Sequence, residues 1–303
     1  MGTISEVIRA FSCEFPGSRV RENEPMSEHT SFRIGGRVTA MALPESEEQL
    51  LRLLALSSSA GVSPLIMGNG TNLLVTDSPL DMLVIKTCDG ISDISIRGDT
   101  INAGSGVLLS KLASFALANS LTGLEFAHGI PGSLGGAAYM NAGAYGGEIC
   151  DVVIETTAVT KDGEIRVYTA SENNFSYRHS RFTDSDDIVL SLRLQLAKGD
   201  PDAIKAKMDE YSARRRESQP LNYPSAGSTF KRPVGGYAAA MIDKAGLRGY
   251  AIGGAQVSEK HAGFVINRGG ATFGDVVSLM AYIKETVYEK FGVELLPEVR
   301  IIR

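Results

Sequence analysis

The sequence has no tryptophan and only three cysteines among its 303 residues. Cys13, Cys88 and Cys150 are odd in number, far apart and free of any C-x-x-C pair, which argues against a disulfide framework or a zinc knuckle. They are expected to be buried thiols in a reducing compartment. No apolar run reaches the roughly 18 residues that a membrane helix needs. Residues 1–21 show no basic start followed by an apolar stretch, so no signal peptide is expected and the protein should be cytoplasmic. Neither sign of charge dominates: the net charge of −5 advertises neither nucleic acid nor an acidic membrane as a partner. No His/Cys/Asp cluster has metal-ligand spacing, so no metal is expected, and G-x-S-x-G is missing too.

What is abundant is glycine, with 33 residues gathered in clusters that mark tight turns and backbone approached closely by something else. Hydrophobic residues at 43% and charged residues at 21% suit a globular chain with a real core. The length corresponds to roughly two domains.

Ser46 is placed to cap a helix, with Gln49 closing a capping box, Leu50, Leu51, Leu53, Leu54 and Leu56 as the apolar stripe, and Gly61 as its end. Pro64 to Met67 and Met82 to Lys86 read as strands. Gly98-Asp99 and Asp162-Gly163 each join two strands as hairpins. Residues 110–119, 203–217, 237–245 and 275–291 read as helices. Residues 188–196, 264–267 and 299–302 read as strands. The texture changes at Lys198-Gly199-Asp200-Pro201, which places a boundary near residue 200. The expected division is 1–200, with subdomains about 1–89 and 90–200, followed by 201–303. The mixed order of elements with many hairpins points to α+β, not a doubly wound parallel sheet.

Two glycine loops carry the strongest signal. Gly68-Asn69-Gly70-Thr71-Asn72-Leu73 follows the strand ending at Met67. Its amides and the side chains of Thr71 and Asn72 suit a pyrophosphate. It is neither a Walker loop nor a dinucleotide fingerprint, because no lysine follows and position 73 is leucine. The second, residues 129–147, holds Gly129, Gly132, Gly135, Gly136, Gly143, Gly146 and Gly147. Among these stand Ile130, Pro131, Ser133, Leu134, Ala137, Asn141, Ala142 and Tyr145. Small residues there would let backbone lie flat against a planar ligand. The apolar members mark the loop as ordered, unlike a serine-rich linker.

These loops, with His29-Thr30-Ser31-Phe32-Arg33-Ile34-Gly35-Gly36 before them, resemble the FAD-binding module of the vanillyl-alcohol oxidase (PCMH-type) superfamily. More narrowly, the chain resembles the UDP-N-acetylenolpyruvoylglucosamine reductase family from about Ser27 to Arg300. Three more segments match that family: Phe175 to Phe182, Pro224 to Pro233 and Leu296 to Arg300. The resemblance implies an FAD module over 1–200 with non-covalent FAD, and a C-terminal α+β substrate-binding domain over 201–303. The implied cofactor contacts are Met67 to Leu73, Gly129 to Ser133, Gly135, Gly136, Ala137, Asn141, Ala142 and Gly143.

The implied reaction is NADPH-dependent reduction of UDP-N-acetylglucosamine enolpyruvate to UDP-N-acetylmuramate for peptidoglycan, by a monomer. NADPH and substrate are expected to use one pocket in turn, since no Rossmann fingerprint is present. Hydride addition to an enol ether leaves negative charge beside a carboxylate. Arg178 can hold that carboxylate with a two-pronged fork. Ser228 can return a proton if the site is dry. Glu298 can stabilise the intermediate if protonated, so burial is expected to raise its pKa. The family gives the same three residues these roles. Lys231 and Arg232 are the expected diphosphate contacts, although Arg232 stands where some members have asparagine. The Arg214-Arg215-Arg216 run suits a helix C-terminus. Tyr145, Gln256 and His261 are expected on the substrate side. His128 is expected to pack or to meet the flavin rim, and His179 to neighbour Arg178.

The stretch between Arg178 and Ser228 is too short for the substrate-covering tyrosine loop of one family subgroup, so the chain resembles the other subgroup. Two other readings stand beside this one: an alcohol oxidase of the same superfamily, and a non-catalytic flavin-binding protein.

Overall fold

A computed structural model of the chain describes residues 2–88 and 90–303. They form two compact units that interleave along the chain. The first comprises 1–24, 39–69 and 81–214, and the second 25–38, 70–80 and 215–303. The compact units therefore do not follow the expected single cut near residue 200. The reason is strand pairing. Arg300–Ile302 runs parallel to Leu73–Val75, and Phe32, Ile34 and Leu74 sit in the same core as Val276, Leu279 and Ile283.

The first unit opens with the helix Ile4–Glu14, capped by Thr3 with Glu6 closing the capping box. Its Val7, Ile8 and Phe11 pack with Leu50 and Leu53 of the helix Glu47–Ala60. Ser46 accepts from the Gln49 amide and Gly61 ends that helix at φ 70. Gln49 does not close a box: its side chain instead accepts from the Glu45 amide at 2.9 Å. A four-stranded sheet runs in the order Arg19–Pro25, Arg37–Leu43, Leu80–Lys86, Leu65–Met67.

A second sheet carries the hairpins read from Gly98-Asp99 and Asp162-Gly163. Its antiparallel order is Ile165–Thr169, Val153–Val159, Ile188–Gln195, Thr100–Gly104, Ile94–Arg97. The helices Leu109–Ala118 and Leu134–Met140 share a core with it, through Leu109, Leu112, Leu134 and Ala138 against Ile101, Leu192 and Leu194.

The second unit has a four-stranded antiparallel sheet in the order Ser225–Ser228, Phe264–Asn267, Ala255–Val257, Ala251–Ile252. Val257 and Val265 pack with Ile242 of the helix Ala238–Lys244 and with Val276, Leu279 and Ile283 of the helix Phe273–Phe291. Among the described residues no helix is long and apolar enough to cross a membrane, and no His/Cys/Asp/Glu group has the arrangement to hold a metal. The cysteines are free, but Cys13 is exposed, not buried as expected. It lies on the outer side of a helix that buries Ile4, Val7, Ile8 and Phe11.

Candidate active site

The first glycine loop is shaped by what a side chain would strike. A Cβ on Gly68 would stand 1.9 Å from Ser133 Oγ. Beside it, Asn69 Nδ2 donates to the Pro131 carbonyl at 2.7 Å. The structure thus brings the end of the first loop against the start of the second. Within the second unit, Gly70 takes φ 64 and its carbonyl accepts from the Ser31 amide at 3.1 Å. Asn72 Nδ2 donates to the Glu298 carbonyl at 3.0 Å, so this amide, expected to face a phosphate, anchors the strand behind Glu298.

The second loop is not extended throughout. Ser133 caps a helix over Leu134–Met140, its hydroxyl accepting from the Gly136 amide. The amides of Leu134 and Gly135 donate to the Val107 and Ser105 carbonyls, each at 2.7 Å. A Cβ on Gly135 would lie 2.8 Å from Ser105 Cβ, so glycine lets this helix dock backbone to backbone. Beside the segment, Ser105 Oγ and His128 Nδ1 are buried without a protein partner. Buried polar atoms of this kind are rare and call for a ligand or water. A cradle that any Cβ would fill, with two orphaned polar atoms beside it, fits the rim of a flavin.

Arg178 sits at a turn tip where Ser176 and His179 exchange main-chain hydrogen bonds of 3.0 and 3.2 Å. Its φ is 53, a left-handed conformation that arginine seldom adopts. The side chain is only 18% exposed and lies 4.0 Å from Glu148 Oε1. Its guanidinium donates to the carbonyls of Asn141 at 3.5 Å and Gly143 at 3.2 Å. Arginine and small-residue loop are therefore one assembly. His179 neighbours Arg178 as expected, its ring 2.9 Å from Asp184 Oδ2. Tyr145, also left-handed at φ 54, stacks on Tyr211 at 4.5 Å, with Arg214 over its ring at 5.6 Å. That contact gives Arg214 a role beyond a solvated helix end.

In the second unit, Ser228 ends a strand that needs Gly227 at φ 76. The segment 229–231 then runs antiparallel to 296–298. Glu298 N–H donates to the Thr229 carbonyl at 2.9 Å, and Lys231 N–H to the Leu296 carbonyl at 2.8 Å. Ser228, Lys231 and Glu298 are all half-buried, and Arg232 is exposed with its guanidinium 4.4 Å from the Tyr237 ring centre. Gln256 is buried and its amide donates to the Gly249 carbonyl at 2.8 Å. His261 Nδ1 accepts from the Gly263 amide at 3.1 Å, and its ring meets Phe264 edge-on. Burial lowers the His261 pKa, with Arg248 adding to the effect, while a backbone hydrogen bond opposes both. Arg178 belongs to the first unit, Ser228 and Glu298 to the second.

A cavity of about 660 Å³ opens in the second unit beside Gln256, lined also by Tyr223, Ser258 and the cations Arg216, Lys260 and Arg268. Lys260, Arg268 and Tyr223 were not singled out from sequence. Scattered single residues give no local pattern, and only the folded sheet gathers them.

The fold and the two loops define a flavin-binding module of the vanillyl-alcohol oxidase (PCMH) type, and residues 38–169 match the model of the FAD binding domain. Residues 219–302 match the UDP-N-acetylenolpyruvoylglucosamine reductase C-terminal domain. The chain is 49% identical to the UDP-N-acetylenolpyruvoylglucosamine reductase of Caldanaerobacter subterraneus subsp. tengcongensis, covering 92% of both chains. It is 50% identical to that of Latilactobacillus sakei subsp. sakei over 93% of both. The crystal structure of the Thermus caldophilus reductase superimposes with a TM-score of 0.81 at 32% identity, covering 94% of this chain and 100% of that one. The chain belongs to the UDP-N-acetylenolpyruvoylglucosamine reductase family.

Proposed function

We propose that this chain reduces the enolpyruvyl group of UDP-N-acetylglucosamine enolpyruvate to give UDP-N-acetylmuramate for peptidoglycan, with NADPH as reductant. It is an FAD-containing oxidoreductase, and the bound flavin would supply hydride chemistry between NADPH and the enol ether. Met67, Gly68, Asn69, Gly129, Ser133 and the neighbouring small residues hold the cofactor. Arg178 holds the substrate carboxylate as a fixed cation that needs no reorganisation as charge builds up. Ser228 Oγ delivers a proton to the carbon next to that carboxylate, and Glu298 supports the charge through its carboxyl group. Lys231, Arg232, Tyr145, Gln256 and His261 bind the rest of the substrate. The cationic cavity beside Gln256 is suited to its anionic part.

The observation that carries this reading is the pairing of 229–231 with 296–298. It sets the Ser228 and Glu298 segments side by side through the antiparallel bridge of Phe230 and Pro297, although they are remote in sequence. Most of residues 1–200 serve the cofactor, with Arg178 and Tyr145 turned to the substrate, and 201–303 serve the substrate, in a cytoplasmic monomer that needs neither nucleic acid nor membrane.

The test is spectroscopic. Purified protein should be yellow, bleach with NADPH without oxygen, and regain colour when the enolpyruvyl UDP-sugar is added. Colourless protein that takes up no FAD defeats the reading. Oxygen uptake with an alcohol and no NADPH would point to the oxidase chemistry of the wider superfamily.

A further inference from the structure

We propose that Asn141 is a positioning residue for Arg178, in place of the direct cofactor contact expected from sequence. This rests on the reading of Arg178 as the group that holds the substrate carboxylate. The helix Leu134–Met140 ends at Asn141, whose backbone is left-handed with φ 43 and ψ 59. Asparagine tolerates that region better than most residues. There its side chain is fully buried, at 0% exposure. Nδ2 donates to the Ser176 carbonyl at 3.0 Å and to Glu148 Oε2 at 2.9 Å, while Oδ1 accepts from the Cys150 amide at 3.1 Å. Both donors are engaged, so the amide cannot turn to a ligand without orphaning buried groups.

Ser176 opens the turn that carries Arg178 in its left-handed conformation. Strain of that kind persists only where the surroundings hold it. Several of the holding contacts come from the end of the Leu134–Met140 helix, beside the Gly143 carbonyl that also accepts from the guanidinium. Asn141 grips the Ser176 carbonyl, and Ser180 Oγ donates to the Tyr139 carbonyl at 2.9 Å. The guanidinium bonds back to the Asn141 carbonyl. Glu148, one oxygen of which Asn141 holds, presents the other at 4.0 Å from Arg178 Nη1. Asn141 therefore reaches Arg178 by three routes: the backbone of its turn, a carbonyl under its guanidinium, and the carboxylate facing it. A fork that must meet a carboxylate with both prongs is sensitive to this support. A displacement of about 1 Å can slow a reaction as much as a hundredfold.

The experiment uses FAD-loaded protein with Asn141→Gly and Asn141→Asp. Glycine keeps the left-handed backbone and removes the amide. Aspartate keeps the size but turns donors into acceptors facing Ser176 and Glu148. Flavin content, absorbance spectrum, melting temperature and the two anaerobic half-reactions are measured. Bleaching by NADPH should stay within about twofold of the parent, whereas recovery of colour with the enolpyruvyl UDP-sugar should slow roughly ten- to a hundredfold. Asn141→Gly should add nothing further to Arg178→Ala, because both remove one function.

Loss of FAD or an altered flavin spectrum in both variants would restore the direct cofactor role and overturn the proposal. So would unchanged recovery of colour, or losses that multiply in the double variant. If Asn141 variants prove too unstable to isolate, Glu148→Gln probes the same route by removing the carboxylate that faces the guanidinium. It should slow only the recovery of colour, and parental kinetics would overturn the proposal. Should Arg178→Ala itself recover colour at the parental rate, the assignment of Arg178 fails first, and the role of Asn141 falls with it.

Discussion

The main-chain N–H of Glu298 donates to the carbonyl of Thr229 at 2.9 Å, which fixes the residue after Ser228 against the segment that carries the carboxyl group. Thr229 is held in turn, because its Oγ1 accepts from the Val265 amide at 3.0 Å. The backbone on either side of Ser228 and Glu298 is thereby held in fixed register, so their side chains start from a set spacing. Ser228→Ala should therefore leave the fold and the bleaching by NADPH intact, and slow the reduction of the enolpyruvyl substrate by roughly 10²–10⁴-fold. Stopped-flow absorbance checks this, and a parental rate of colour recovery removes Ser228 from the mechanism. Glu298→Gln, which still offers a hydrogen-bond donor, should lose less than Glu298→Ala.

Two glycines separate backbone strain from close approach. Gly61 has φ 70 and open space around it, so Gly61→Ala should cost about 1 kcal/mol through conformation alone and leave flavin content unchanged. Gly68 has no strain of that kind, but its Cβ would meet Ser133 Oγ at 1.9 Å. Gly68→Ala should push the two loops apart and lower the FAD retained through gel filtration. Thermal melts and absorbance after desalting distinguish the two. Equal flavin loss from both variants would contradict the cradle.

His261 gives a pH signature. Its ordinary pKa is 6.5, and burial lowers it in the fold. Well above 6.5 the ring is neutral in folded and unfolded chains alike, so it contributes no pH dependence there. As pH falls below that value the unfolded chain takes up a proton that the folded one resists, and stability drops until the folded pKa is reached. His261→Gln should flatten the fall in denaturation midpoint as pH drops below the ordinary value of 6.5. Parallel curves for the variant and the parent would show that His261 does not titrate against folding.

The three thiols should react in a fixed order. Cys13 is exposed, Cys150 is half-buried with its pKa raised mainly by burial, and Cys88 is only 1% exposed. Thiolate is the reactive form. At neutral pH a maleimide should label Cys13 first, Cys150 slowly and Cys88 only in denaturant, as mass spectrometry of peptides will show. Modification of Cys13 should leave NADPH oxidation unchanged.

Local structure was legible where local chemistry decides it. The Ser46 cap, the Gly61 stop and the Gly98-Asp99 and Asp162-Gly163 turns each act within a few residues. The sequence of residues 134–140 reads as a loop, yet it forms a helix. Its glycines have poor helix propensity, and tertiary anchors such as buried Leu134 and the Gly135 contact with Ser105 settle its form instead. The helix Ile4–Glu14 and the polar strand Arg19–Pro25 passed unread, the strand because its side chains are mostly exposed. In the site, Arg178, Ser228 and Glu298 drew notice through segments that resemble a family, since none of these residue types is informative alone. The link between Asn141 and the Arg178 turn spans 35 residues and left no trace in any motif.

The interleaving of the two units also sets a timetable for folding. Asn72 and Glu298, joined by a hydrogen bond, are 226 residues apart in the chain. At roughly 5–20 residues per second, a ribosome needs about ten to forty-five seconds to travel between them. For most of that interval Phe32, Ile34 and Leu74 lack core partners, the first of which is Ala226. The nascent chain thus keeps Leu73–Val75 without its strand partner until the last residues, Arg300–Ile302, emerge.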